Sequence, residues 1–180
     1  MDTTTMTNTE ETTIFDEIVN YGILEEDSVV NFGAGHQGGI FLKTLRDYNG
    51  VLSDKVIGVE PDPKRIKLLT KLFANDDVQL LETPLQSYID SEPETVDWVV
   101  ITGLLNNPIF GENQHAYVST VVRESYGIVN KGVMFHIKEN ASDDFKFAPI
   151  YFLVDFANTY DRFTIKKIGE DNYVFCIFKQ

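Results

Sequence analysis

The sequence predicts an α/β fold: a doubly wound, seven-stranded, mostly parallel sheet ending in a C-terminal antiparallel β-hairpin. Three observations predict it. Short apolar runs of strand length alternate with segments whose apolar residues recur at helical spacing, which is the pattern of a parallel sheet covered on both faces. The first such run, Val29–Phe32, leads directly into a cluster of glycines at 33, 35, 38 and 39. The chain ends differently, with Arg162–Ile168, a Gly-Glu-Asp-Asn turn and Tyr173–Phe178 making two strands with no helix between them.

Element by element, residues 1–13 hold seven threonines and few apolar groups, and are expected to form a disordered leader before a single domain over 14–180. Ile14, Phe15, Ile18, Val19 and Leu24 suit a short helix over the edge of the core. Gly39–Tyr48 reads as the helix after the first strand, with Ile40, Phe41 and Leu45 inward. Lys55–Glu60 is a second strand, and Asp62 followed by Pro63 is a strong helix start, a capping carboxylate before a residue with the helical φ built in. Ile66, Leu69, Leu72 and Phe73 continue that helix. A third strand covers Val78–Leu81, a short helix follows Pro84, and Val96–Thr102 is a fourth strand. A helix from about Glu112 to Asn130 buries Val118, Val121, Val122, Ser125 and Val129. Val133–Lys138 is the fifth strand, and Phe147–Tyr160 the last helix.

With 180 residues, the chain is long enough for one substantial core. Its formal net charge of −13 argues against a broad grip on nucleic-acid phosphates, which needs clustered Lys and Arg. The single cysteine, Cys176, excludes an intrachain disulfide and a cysteine-rich zinc site, and its apolar run marks it as a buried thiol. No signal peptide or apolar stretch of membrane length is present, so the expected compartment is the cytoplasm and no membrane partner is expected.

In a doubly wound sheet a ligand sits beyond the carboxyl ends of the strands, at the switch point beside the first. Gly33 to Gly38 fits the G-x-G-x-x-G spacing, follows a strand and opens a helix. Glu60 ends the second strand twenty-two residues after Gly38, where a carboxylate can take both hydroxyls of a ribose. A ribose-bearing ligand fits two classes, a dinucleotide or S-adenosylmethionine.

The stretches VVNFGAGHQGG, VIGVEPDPKRI and VDWVVITGLLNN, in this order and spacing, resemble the first, second and fourth motifs of the class I S-adenosylmethionine-dependent methyltransferases. The resemblance covers about Ile14 to Gln180. It implies a Rossmann-like sheet whose last strand inserts beside the fifth, and the apolar run Val174–Phe178 suits that place. It also implies S-adenosylmethionine as cofactor and methyl transfer to an unidentified acceptor, a small molecule or a protein. By the same resemblance, Phe32, Gly33, Ala34 and Gly35 pass beneath the methionine part of the cofactor, and Glu60 binds the ribose hydroxyls. Pro61 packs on the adenine, with Pro84 and Leu85 flanking its other side, and Thr102, Gly103 and Leu104 line the site near the reactive methyl.

Three positions depart from the family pattern. Asn31 replaces the usual acid facing the cofactor's amino group, keeping an acceptor but losing the charge. Gln37 stands where the third glycine falls, and Thr83-Pro84 replaces the acid after the third strand. The tetrapeptide of amino-methyltransferases acting on adenine or cytosine is absent after the fourth strand, where the chain reads GLLNNP. Candidates for catalysis or acceptor binding are His115, Asn107 and Tyr151, with Asn106 beside them. His136 alternates within a strand and reads as a satisfied core histidine, and His36 sits in the glycine loop. Two other readings stay open: a non-catalytic methyltransferase-like binding or structural protein, which the three departures support, and a nicotinamide-dinucleotide-binding protein, which rests on the glycine spacing alone.

Overall fold

The computed structural model describes residues 8–49, 55–106, 114–139 and 149–180. Its elements run α1 (Asn8–Asn20), β1 (Val29–Phe32), α2 (His36–Asn49), β2 (Val56–Val59), α3 (Pro63–Leu72), β3 (Gln79–Leu81) and α4 (Leu85–Asp90). They continue with β4 (Val96–Ile101), a 3-10 turn (Leu104–Asn106), α5 (Gln114–Gly127), β5 (Val129–Lys138), α6 (Pro149–Thr159), β6 (Phe163–Ile168) and β7 (Asn172–Phe178). The seven strands form one sheet in the order β3-β2-β1-β4-β5-β7-β6. β1 through β5 pair in parallel, and β7 runs antiparallel to both β5 and β6. The hairpin therefore folds back so that β7, not β6, takes the place beside β5. That place is interior, which is why Val174 to Ile177 carry an unbroken apolar run and are fully buried.

The two-residue alternation of the strands sorts their side chains into two cores. Val30, Phe32, Val99, Ile101, Val133, Phe135, Phe175 and Ile177 face one side, where α4, α5 and α6 supply Leu85, Val118, Val122, Phe152 and Phe156. Val29, Trp98, Val100, Met134, Val174 and Cys176 face the other, covered by Ile14, Phe15 and Ile18 of α1, Phe41 and Leu42 of α2, and Leu69 of α3. Burial pushes the Cys176 thiol up to about 12, so it is an inert filler of this second core.

Several boundaries differ from the sequence expectation. α1 reaches back to Asn8, so residues 8–13, expected in the leader, are helical: burial of Ile14, Phe15, Ile18 and Val19 anchors the helix and the preceding turn extends it. Helix α2 begins at His36, within the glycine cluster, where Gly39 N–H bonds to Gly35 O. Helix α5 ends at Gly127, three residues early, because Val129 already pairs with Val96 in the sheet and glycine is a poor helix residue. The amino-terminal edge is tied by Asp27, fully buried, which accepts from Leu24 N–H (3.0 Å), Trp98 Nε1–H (2.8 Å) and the Lys131 ammonium. Burial alone would raise its carboxyl, but these donors outweigh it and hold it below the ordinary value.

Candidate functional site

The glycine loop is clamped between the ends of β2 and β4. Gly33 and Ala34 both donate their N–H groups to Val59 O, at 3.0 and 3.1 Å. Gly33 has φ of +78°, and a Cβ there would lie 2.3 Å from Thr102 O. Only glycine meets both conditions. Gly35 is held from the other side: its N–H donates to Glu60 Oε2 at 2.8 Å, and a Cβ would meet that oxygen at 2.4 Å.

Glu60 thus joins the first and second motifs physically. It is only 3% exposed, and its second oxygen accepts from Asp62 N–H at 3.0 Å. Asp62 in turn caps α3 through Lys64 N–H at 2.8 Å, so the strand end, the carboxylate and the helix start are one hydrogen-bonded unit. The Arg65 guanidinium lies 3.9 Å from Glu60 and 3.6 Å from Asp62. Arg65 was not singled out from the sequence; the signal was its place in the first turn of a capped helix that starts at Glu60's shoulder. Each carboxylate oxygen can accept more than one bond, so Glu60 retains acceptor capacity for ribose hydroxyls. Pro61 and Pro84 are exposed, while Leu85 is buried. The Phe32 ring packs edge-to-face on Tyr88 at 5.6 Å in the core, so this residue meets the loop through its backbone alone.

Two groups of uncharged polar side chains lie along this end of the sheet, Asn31 with Thr102 beside the loop and His136 with Asn106 and Asn172 farther along. Asn31 on β1 is fully buried; its Nδ2 donates to Val100 O (3.1 Å) and Thr102 Oγ1 (3.0 Å), while its Oδ1 has no hydrogen-bond partner. Val100 O can only accept, which fixes the amide's orientation. This contact gives the departure at Asn31 a structural reason: a carboxylate could not donate across to β4. Thr102 itself donates to Gly33 O at 3.3 Å. On β5, His136 Nε2 meets Asn172 Oδ1 at 2.9 Å and Nδ1 meets Asn106 Nδ2 at 3.3 Å, while Asn106 Oδ1 accepts from Lys138 N–H at 2.8 Å. The last bond orients Asn106 with its amide N–H toward the ring, so His136 is the neutral tautomer protonated on Nε2. Burial lowers its pKa to about 4. It holds the turn after β4 against β5 and β7, as a satisfied interior histidine.

His115 opens α5 half-buried, its ring stacked on Phe152 at 4.9 Å, and burial lowers its pKa. It lines a cleft of about 380 Å³ between α5 and α6 with Ala116, Ser119 and Asp155. Asn107 lies outside the described residues. Tyr151 belongs to α6, but its side chain, like those of His36 and Gln37, is not among those described. A larger cleft of about 530 Å³, near Ser28, Lys55, Gln79 and Thr95, lies at the amino ends of the strands. The glycine loop and Glu60 lie at the opposite, carboxyl edge of the sheet.

No family model matches the chain, and no curated protein matches its sequence. Solved structures do match. Magnesium protoporphyrin IX methyltransferase (ChlM) from Synechocystis PCC 6803, solved with bound S-adenosylmethionine, superposes with a TM-score of 0.68 at 12% identity, over 98% of this chain and 86% of that one. Ribosomal protein L11 methylase from Lactobacillus delbrueckii subsp. bulgaricus superposes at 0.67 and 15% identity, over 96% of this chain and 81% of its own. The fold is that of the class I S-adenosylmethionine-dependent methyltransferases. The bifunctional kinase-methyltransferase WbdD matches at 0.60 and 12% identity, over 94% of this chain but only 37% of its own length. The methyltransferase fold thus accounts for nearly all of this chain, and its switch point is where the glycine loop, Glu60 and the Asn31–Thr102 pair come together.

Proposed function

We propose that this protein transfers the methyl group of S-adenosylmethionine to a small-molecule or protein acceptor. One observation carries the reading: a nearly fully buried carboxylate, Glu60, ends β2 and is bonded at 2.8 Å to the backbone of the glycine loop, in a sheet with the methyltransferase strand order. The residues present fit the cofactor. Asn31 Oδ1 is a buried acceptor without a donor, which suits the ammonium of the methionine part. Glu60 has acceptor capacity for ribose hydroxyls, and the exposed Pro61 and Pro84 offer apolar surface for the adenine. Thr102, Gly103 and Leu104 supply the wall beside the reacting centre, where Gly103 turns at a φ of +69°. The cofactor supplies an electrophilic methyl on a sulfonium. The chain's own part is to hold that centre in line with the acceptor and exclude water, which requires no catalytic residue for an acceptor that is already nucleophilic.

The acceptor cannot be carried over from the matched structures, whose named substrates differ in class: a porphyrin in one and a ribosomal protein in another. The net charge of −13 favours a small molecule or protein over nucleic acid. A second reading, a non-catalytic module with a degenerate pocket, draws on Asn31, whose amide is turned into the sheet. The strand order with its inserted antiparallel β7 weighs against a nicotinamide dinucleotide. Calorimetric titration with S-adenosylmethionine, S-adenosylhomocysteine and NAD in parallel separates the three. The enzyme reading expects micromolar binding of the first two and none of NAD. Failure of both at millimolar concentration leaves the non-catalytic module.

A further inference from the structure

Helix α3 stands out on this acidic protein. The chain has 15 Lys and Arg against 28 Asp and Glu, yet the ten residues Pro63–Leu72 carry Lys64, Arg65, Lys67 and Lys71 and no acid. Its inner face is accounted for by Leu69, 3% exposed, and by Phe73 just beyond the helix. Its outer face is not. Leu68 is 66% and Leu72 53% exposed, one helical turn apart; among the described residues the other large exposed apolar side chains, Leu24 and Val154, stand on separate elements. At about 100° per residue, Lys67, Lys71 and Lys64 form a stripe on one flank of the Leu68–Leu72 ridge, and Arg65 borders the other.

Nothing among the described residues explains this face. Among the described residues Lys64, Lys67 and Lys71 enter no ion pair, and Arg65 reaches its partners only at 3.6 and 3.9 Å. Like charges three and four residues apart weaken a helix, so the lysine stripe costs stability rather than adding it. Two leucines in water on a helix that already has a buried face add nothing to the core.

We propose that the outer face of α3 is a docking surface for an acidic, leucine-bearing helical segment of another protein. Charge complementarity selects that occupant. A second copy presenting the same face would set four cations against four, which disfavours a two-fold pairing. A flat anionic bilayer would meet Asp62 and the exposed Glu82 at the amino end of the helix, since Leu81 pairs with Val59 there, and the exposed Asp77 past the other end. A narrow acidic helix can cover the lysines and leucines without meeting those acids. Nucleic acid would use the lysines but leave the leucine ridge in water.

The test uses the full-length protein and a synthetic acidic amphipathic helix with leucines at i and i+4 flanked by glutamates, followed by fluorescence anisotropy. Comparators are the same peptide with lysine for glutamate, phosphatidylserine-containing vesicles and a single-stranded RNA oligonucleotide. The acidic peptide should bind and the basic one should not, with affinity falling as salt rises because these exposed charges are screened. Leu68→Ser should weaken binding about tenfold, the worth of one leucine side chain withdrawn from water. K67E/K71E should weaken it at least as much, while K43E, on exposed α2 surface, should change it less than twofold. All these variants should melt like the wild type, since they alter exposed positions. Peptide binding that K67E/K71E leaves unchanged would overturn the proposal, as would absence of binding at millimolar peptide. Preferential capture of vesicles or RNA through Lys67 and Lys71 would overturn it in favour of those partners. A wild-type dimer that Leu68→Ser converts to monomer would assign the face to a second copy instead.

Discussion

Replacing Asn31 by aspartate, the residue of the methyltransferase pattern, is the sharpest probe of the site. In the fold without ligand the change should harm the protein. The amide Nδ2 makes two buried bonds, to Val100 O and Thr102 Oγ1, and Val100 O can only accept. An ionised carboxylate at this position loses both donors and sets an unpaired anion against a carbonyl at full burial. Two lost bonds at about 1 kcal/mol each, plus part of the desolvation of a charge, amount to about 3 kcal/mol, softened because the Thr102 hydroxyl can turn to donate. For a chain of this size that is a fall in Tm of about 6–12 °C at pH 7. Burial raises the new carboxyl's folded pKa above its unfolded value of about 3.9, and the protonated acid regains a donor. The penalty is therefore full at neutral pH and shrinks as pH falls through the folded pKa, so the gap between variant and wild type should narrow at pH 5. Saturating S-adenosylhomocysteine should then raise the Tm of Asn31→Asp more than that of the wild type, because its ammonium supplies the missing partner. Equal stability of the two proteins at pH 7 would refute the Asn31–Val100 clamp. A variant destabilised as expected but untouched by the ligand would refute the placement of the ammonium at this residue.

His136 should impose a pH dependence of its own. Its folded pKa of about 4 lies below the ordinary 6.5, so the folded state binds fewer protons in between and stability falls as pH drops through that window, by about 3 kcal/mol at most; denaturant titrations from pH 7 to 4 should show this slope flattened in His136→Gln. Glu60→Gln keeps one acceptor for Gly35 or Asp62 and should weaken S-adenosylhomocysteine binding by about 1.5–3 kcal/mol with a modest loss of stability, read by calorimetry and melting. Glu60→Ala strands both backbone donors, so it should lower Tm as well as affinity. Gly33→Ala forces a Cβ to within 2.3 Å of Thr102 O at positive φ and should cost roughly 2–4 kcal/mol of stability, from backbone strain and overpacking together, and abolish cofactor binding; wild-type behaviour would mean that the loop is slack.

Much of the fold was legible because local chemistry and burial agree in it. Asp62 and Pro63 mark the start of α3 by their own geometry, and the unbroken apolar run Val174–Phe178 marks an interior strand because nothing half-exposed would carry it. Glu60 and Gly33 were identifiable from spacing, since a strand, a tight turn and an acid at the next strand's end form a linear pattern. Boundaries were less legible where partners distant in sequence compete for a residue. Val129 has the inward periodicity of a helix, but pairing with Val96 draws it into β5. The glycines after Gly35 belong to the first turn of α2 rather than to the loop, and at Gly39 a Cβ would come within 2.9 Å of the Leu69 side chain.

What the sequence by itself determined is the alternation of strands and helices, the closing hairpin, the net charge, and the glycine and carboxylate that mark the switch point. Each depends on residues close together in the chain or on summed composition. Only the tertiary structure decided the rest. It set the Asn31 amide against β4, where an acid could not donate, and locked His136 between Asn106 and Asn172. It left Leu68 and Leu72 outside while burying Leu69 between them. These outcomes depend on which surfaces meet when residues 69 positions apart in the chain become neighbours, and no local pattern carries that information.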